Sequence, residues 1–184
     1  MLSAVMKSLK QTTISTKMKP KNMIKKNFIY ILFVVLILII SRFFSIGLAT
    51  GESMYYPTIT SPSILFINKS DKDFHRNDVV VCKKSGLKAI TKRIIGLPGE
   101  TITISEDGKI FINHIPYEDK YGNVTLPLFL NGDRHYPITL ADDEYFVMGD
   151  NRNVSADSRN SQIGNIHKKN ILGKVMNHLS FRPS

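Results

Sequence analysis

Cysteine is nearly absent from this chain of 184 residues, which has only Cys82. A lone thiol forms no intrachain disulfide and holds no metal by itself. Its setting in "DVVVCKK" reads as a small buried residue of a strand. Metal-ligand spacing is missing as well: the five histidines, His75, His114, His135, His167 and His178, form no helical pair and no short cluster. No metal and no cofactor is expected, and no histidine sits in a motif-like setting for a catalytic base. Acid is absent from the first 27 residues, where Lys7, Lys10, Lys17, Lys19, Lys21, Lys25 and Lys26 stand. Taking those seven from the 25 basic residues leaves 18 against 15 acidic ones. The net charge of +10 therefore belongs mostly to a tail, and a nucleic-acid partner is not expected.

After the lysines comes "FIYILFVVLILII", Phe28 to Ile40, thirteen residues without a charge. As a helix it spans about 20 Å, short of the ~30 Å hydrocarbon core of a bilayer. Continued through Ser41, Arg42 and "FFSIGLA" to Ala49 it reaches about 33 Å, with Arg42 snorkelling to the interface. A cleavable export signal has the same order of parts, ending in small residues such as "GLATG". The reading adopted is an uncleaved anchor. Residues 1–27 form a basic cytoplasmic tail, 28–49 a transmembrane helix in the cell membrane, and 50–184 a domain on the outer face.

Beyond residue 50 helical periodicity is nearly absent, and there are no repeats. Short apolar, β-branched runs alternate with turn residues: 63–68, 78–83, 89–95, 101–105, 109–113 and 144–149. "SEDGK" between the fourth and fifth predicts a hairpin turn, because Asp107-Gly108 tolerates positive φ. The fold class expected is mainly β, an antiparallel domain of about 135 residues, large enough for its own core.

Three places carry chemistry. "GESMYYPT" sets Ser53 just beyond the apolar run, where it is either a nucleophile or a turn residue. In "AITKRIIGLPGE" strand alternation puts Lys92 on one face with Ile90 and Ile94. Desolvation there lowers the amine's pKa and leaves a neutral base able to take a proton from serine. A lysine snorkelling from an edge strand fits the same pattern. Arg93 points the other way, toward a carboxylate or the surface. Third, "MGDNRNVSADSRNSQIG" packs Asp150, Arg152, Ser155, Asp157, Ser158 and Arg159 after a strand. Interleaved acids and arginines of this kind build a hydrogen-bonded loop whose hydroxyls can orient a buried amine, or else a solvated loop.

In this order the segments resemble type I signal peptidases, membrane-anchored Ser-Lys enzymes, across residues 28 to about 176. "GESMYYPT" looks like the nucleophile box, "NDVVVC" like the strand after it and "TKRIIGLPGE" like the general-base box. "GDNRNVSADSR" looks like the last box, and "ILGKV" like the closing strand. The resemblance implies Ser53 as nucleophile, Lys92 as general base and Ser155 as the hydroxyl orienting the lysine. Asp150, Arg152, Asp157 and Arg159 support the site, and the amides of Ser53 and Gly51 are the oxyanion candidates. It further implies preprotein substrates cut after an Ala-x-Ala pattern, and the lipid bilayer as a partner. The chain departs from the family pattern Ser-Met-any-Pro-Thr by one residue, since both Tyr55 and Tyr56 precede Pro57.

Two other functions share these features. A specialised peptidase that trims one pilin or conjugation protein would carry the same dyad, and an inactive relative would serve as a membrane scaffold. A self-cleaving Ser-Lys repressor is argued against by the apolar segment and the lack of a helix-turn-helix pattern.

Overall fold

The structure, a computed structural model, describes residues 20–55, 58–122 and 132–181, with side chains from Asn27 onward. The second tyrosine of the inserted pair, Tyr56, and Pro57 lie outside the described residues. The chain divides into residues 1–40 and residues 41–184.

The first unit holds most of α1 (Pro20–Phe43), 24 residues long. Proline at its first position needs no hydrogen-bond partner and has its φ set for a helix. Every side chain from Phe28 to Ile40 is exposed, so the helix has no buried stripe. Among the described residues no helix is long and apolar enough to cross a membrane.

One expectation about the second unit fails. The apolar helix does not continue to Ala49 but stops at Phe43, and Phe44–Ala49 is a strand, β1. Hidden in "FSIGLA" is a period of two: Phe44, Ile46 and Leu48 point out, while Ser45, Gly47 and Ala49 are half-buried. The small inward residues bring β1 close to β2 (Ser63–Asn68), and a Cβ at Gly47 would come within 3.0 Å of Ile67 Cδ1. Pairing is antiparallel from Phe44 opposite Asn68 to Ala49 opposite Ser63. The Lys69 amide donates to the Phe43 carbonyl at 2.8 Å and caps the end of the helix.

All six expected strands are present. After β2 come β3 (Val79–Cys82), β4 (Ile90–Gly96), β5 (Thr101–Ile104) and β6 (Ile110–Ile112). Two-residue strands β7 (Ile115–Pro116) and β8 (Ile138–Thr139) precede the sixth, β9 (Glu144–Met148). The chain closes with β10 (Ile166–His167) and β11 (Ile171–Ser180). Every pairing among the described residues is antiparallel. Seven strands make one sheet in the order β1-β2-β11-β3-β4-β9-β10, and four make another, β7-β6-β5-β8. Gly108, in the expected hairpin turn, has φ 83°.

The core lies in three clusters. Ile95, Ile102, Ile110, Phe146 and Met148 belong to the one between the small sheet and β4–β9. Val80, Cys82, Ile94, Tyr145 and Ile166 belong to the second. In the third, Met54 and Ile59 pack on Leu65, Ile67 and Val81, so the two ends of the loop after Ser53 are sunk into apolar side chains. Cys82 is fully buried, as its run implies, and burial pushes its thiol up to about 12. It therefore keeps its proton at neutral pH and offers no thiolate nucleophile.

Candidate active site

Ser53 sits in a single 3₁₀ turn, Glu52–Met54, packed against β4. The Tyr55 amide closes the turn on the Glu52 carbonyl at 3.0 Å, and the Ser53 carbonyl accepts from the Asn151 amide at 3.0 Å. The Ile59 amide donates to the Met54 carbonyl at 2.9 Å. That bond ties together the two buried ends of the loop carrying the extra tyrosine, so the insertion is confined to residues between them. Gly51, the other oxyanion candidate, is exposed and extended, with φ −92° and ψ 156°.

Lys92 lies in β4 directly opposite Val80 of β3, between half-buried Ile90 and buried Ile94. Only 2% of its surface is exposed, so it is not a lysine snorkelling at the surface. Burial lowers its pKa to about 8. Asp157, Cys82 and Asp150 pull the other way, and Arg159 adds to the lowering.

The loop after β9 is a packed polar core rather than a solvated loop. Asp150, Arg152, Ser155, Asp157, Ser158 and Arg159 are all buried. Three ion pairs organise it. Asp157 Oδ1 accepts from Arg159 Nε at 2.8 Å, and Oδ2 accepts from Arg159 Nη2 at 2.9 Å and from the Gly149 amide at 3.0 Å. Burial alone raises the Asp157 pKa, but the Arg159 bonds and charge, the Gly149 amide and the nearby Ser155 hydroxyl outweigh it and hold the carboxyl below its usual value. Asp150 accepts from Arg93 Nε at 2.8 Å and Nη2 at 2.7 Å. Arg152 donates through Nε to the Gly149 carbonyl at 2.8 Å and pairs with Asp119. The Arg159 guanidinium also donates to the Arg152 carbonyl at 2.8 Å.

Ser155 Oγ is a buried hydroxyl that makes no hydrogen bond of ordinary geometry with a described residue. It stands against Gly149 and the Ser53 turn. A Cβ at position 149 would fall on Ser155 Oγ and the Ser53 carbonyl, and within 2.6 Å of Ser155 Cβ. Glycine is thus required there by close approach, and nothing in the sequence alone marks it out among the glycines.

Sequence reasoning also missed Arg93 and Thr58 as site residues. Of the two destinations open to Arg93 on the opposite face, a carboxylate or the surface, the structure has the carboxylate of Asp150. Its Nη2 additionally donates to Thr58 Oγ1 at 2.7 Å, and the Thr58 hydroxyl in turn donates to Asp150. Thr58 follows Ser53 by five residues, so the charged loop grips the Ser53 segment downstream of the insertion. Among the described residues no His/Cys/Asp/Glu group has the arrangement of a metal site.

The family profile described as "Signal peptidase, peptidase S26" matches residues 21–179. The chain belongs to the signal peptidase family. Among relatives, Signal peptidase I P of Bacillus subtilis subsp. natto is 39% identical over 167 residues, covering 85% of this chain and 89% of the relative. Signal peptidase I S of Bacillus subtilis (strain 168) is 36% identical, covering 85% and 91%. Signal peptidase I of Bacillus amyloliquefaciens is 37% identical, covering 78% and 80%. The protein is therefore a serine peptidase of the signal peptidase type.

Proposed function

We propose that this peptidase is a membrane-anchored endopeptidase that removes N-terminal signal peptides from exported preproteins, with Ser53 as nucleophile and Lys92 as general base. The observation that carries the reading is Lys92, a lysine buried in a strand beside the Ser53 turn, with its pKa lowered to about 8. A lysine in water is almost wholly charged at neutral pH and takes up no proton. A buried one is neutral often enough to act.

In the proposed reaction the Ser53 Oγ proton passes to the Lys92 amine as the oxygen bonds to the scissile carbonyl carbon. The carbonyl electron pair moves onto oxygen, next to the Ser53 amide, with Gly51 as the second backbone candidate. Lysinium returns the proton to the departing amine of the mature protein, the C–N bond breaks, and an acyl-enzyme remains. Lys92 then takes a proton from water, hydroxide adds to the ester, and Ser53 leaves with that proton. Ser155 has spare hydrogen-bonding capacity and stands beside this turn, which suits it to orient the amine. Asp150, Arg152, Asp157 and Arg159 hold the loop in place. The reaction as written needs no metal or cofactor.

The bilayer is the second proposed partner. Helix α1 carries thirteen consecutive apolar, exposed residues, about 20 Å of helix at ~1.5 Å per residue, and this run is the part that enters the bilayer. Lys25 and Lys26 precede that run and Arg42 follows it, as in an anchor whose charged ends reach the two interfaces. The lysine-rich side lies in the cytoplasm and the β domain on the outer face. The anchor so placed ends at Phe43. On the β domain, Phe44, Ile46, Leu48, Phe66 and Leu179 form cross-strand rows of exposed apolar side chains that fit a lipid interface.

The test is cleavage of a preprotein with alanine at positions −1 and −3 by the full chain in detergent micelles. The expected result is one cut after the −1 alanine, lost when that alanine is replaced by leucine. Cutting that ignores the −1 residue, or no cutting, would refute the reading.

A further inference from the structure

In the segment after β7, which bends at Lys120–Tyr121, three alternate residues each meet an arginine. The Tyr117 ring lies 5.9 Å from Arg76 Cζ, Asp119 pairs with Arg152, and the Tyr121 ring lies 3.8 Å from Arg93 Cζ. The Gly122 amide donates to Asp119 Oδ1 at 3.0 Å, so the Asp119 side chain closes a turn that holds the strap against the arginines. It passes close: a Cβ at Gly122 would fall on the Asp119 carboxylate and within 2.7 Å of the Arg152 guanidinium. Asn77, at φ 73°, links the same groups. Its carbonyl accepts from Arg93 Nη1 at 2.7 Å, and its side-chain oxygen accepts from the Tyr117 hydroxyl at 2.5 Å.

We propose that the strap Tyr117–Gly122 positions the nucleophile segment, with Tyr121 as the key positioning residue acting through Arg93 on Thr58. This rests on Ser53 being the nucleophile. Every edge of the Arg93 guanidinium is committed: Nε and Nη2 to Asp150, Nη2 to Thr58, Nη1 to the Asn77 carbonyl. Its face is left, and Tyr121 covers it. A stacked ring keeps the guanidinium in the plane those bonds require and shields them from water, where ionic hydrogen bonds weaken. Thr58 transmits the position, because its neighbour Ile59 is bonded to Met54, next to Ser53. Asp119 does the same for Arg152, whose Nε holds the carbonyl of the glycine against Ser53.

The experiment compares Tyr121→Leu, Tyr121→Phe, Thr58→Val and the Tyr121→Leu/Thr58→Val double variant of the full chain in the preprotein assay. Thermal melts accompany it, with assays run well below the lowest melting temperature. Tyr121→Leu is expected to lower kcat about tenfold, the size of a desolvated cation–π contact, with KM within twofold. Tyr121→Phe keeps the ring and should keep kcat within twofold. The double variant should be no slower than the slower single one, because both act through one chain of contacts. An unchanged kcat in Tyr121→Leu, an equal loss in Tyr121→Phe, or losses that multiply in the double variant would each overturn the inference. Those outcomes, seen with an active wild-type enzyme, refute the strap alone, whereas an inactive wild-type enzyme refutes the peptidase reading and the strap with it.

Discussion

Replacing Ser53 with alanine or Lys92 with methionine is expected to lower kcat for preprotein cleavage by about 10⁴–10⁶, with little change in KM, because the proposed nucleophile and base act as one unit. The two losses should not multiply in the double variant, since a base with no hydroxyl to deprotonate contributes nothing. The two substitutions part company in stability. Lys92 is 2% exposed and its pKa falls to about 8 because burial disfavours the ammonium. Its folded-state value lies below the unfolded one, so the folded form binds fewer protons between about pH 8 and the ordinary lysine range. Stability then rises with pH across that window, and below it the full penalty applies, on the order of 3 kcal/mol. Methionine, of similar length and uncharged, removes that penalty. Lys92→Met should therefore melt higher than the wild-type enzyme at pH 7 while being inactive, and Ser53→Ala should melt nearly where the wild-type enzyme does. Thermal melts beside the cleavage assay check both. A Lys92→Met variant that is inactive because it unfolds would count against the burial argument.

The second large effect is on folding. Asp157→Ala leaves the Arg159 guanidinium, 1% exposed, without the carboxylate that takes two of its bonds, and removes the partner of the Gly149 amide. Breaking a buried pair by deleting one partner costs about 3–5 kcal/mol, a large part of the ~5–15 kcal/mol that holds a domain together. The expected drop in melting temperature is about 10 °C. It should hardly depend on salt, since a buried pair is screened little. The depressed Asp157 pKa fixes the pH response of the wild-type protein: the contribution is complete above the ordinary aspartate range and is lost as pH falls through the folded-state value. A surface pair such as Lys109–Asp107 is the control, because both partners are exposed and its loss should leave the melt unchanged.

How much of the fold was legible in the sequence depends on the range of the forces involved. Strands whose apolar residues alternate, such as "SILFIN" and "TITI", announce themselves, because period two and β-branching act over neighbouring residues. Lys92 was legible for the same reason, through the isoleucines on its face. The charged loop was legible as a cluster, but not which arginine meets which acid. Strand β1 was not legible: "FSIGLA" follows an apolar run, and Phe44, Ile46 and Leu48 extend that run when read for hydropathy alone. Its fate is decided by β2, fourteen or more residues away, whose edge it covers. The strap was invisible, since Tyr117, Asp119 and Tyr121 are not apolar and their arginine partners stand more than 25 residues off in the chain. For Arg93 the sequence left a carboxylate and the surface both open; the structure has the carboxylate, and its bond to Thr58 needs three segments to meet.

If the buried amine of Lys92 deprotonates Ser53, the reaction must follow the titration of that amine. The pH dependence of kcat/KM for the wild-type enzyme, measured with one preprotein between pH 6 and 10, tests it most directly. The expected rate climbs about tenfold per pH unit and levels off above a midpoint near 8, where Lys92 loses its proton. A midpoint near 6.5, where histidine titrates, or a rate flat across the range would contradict it.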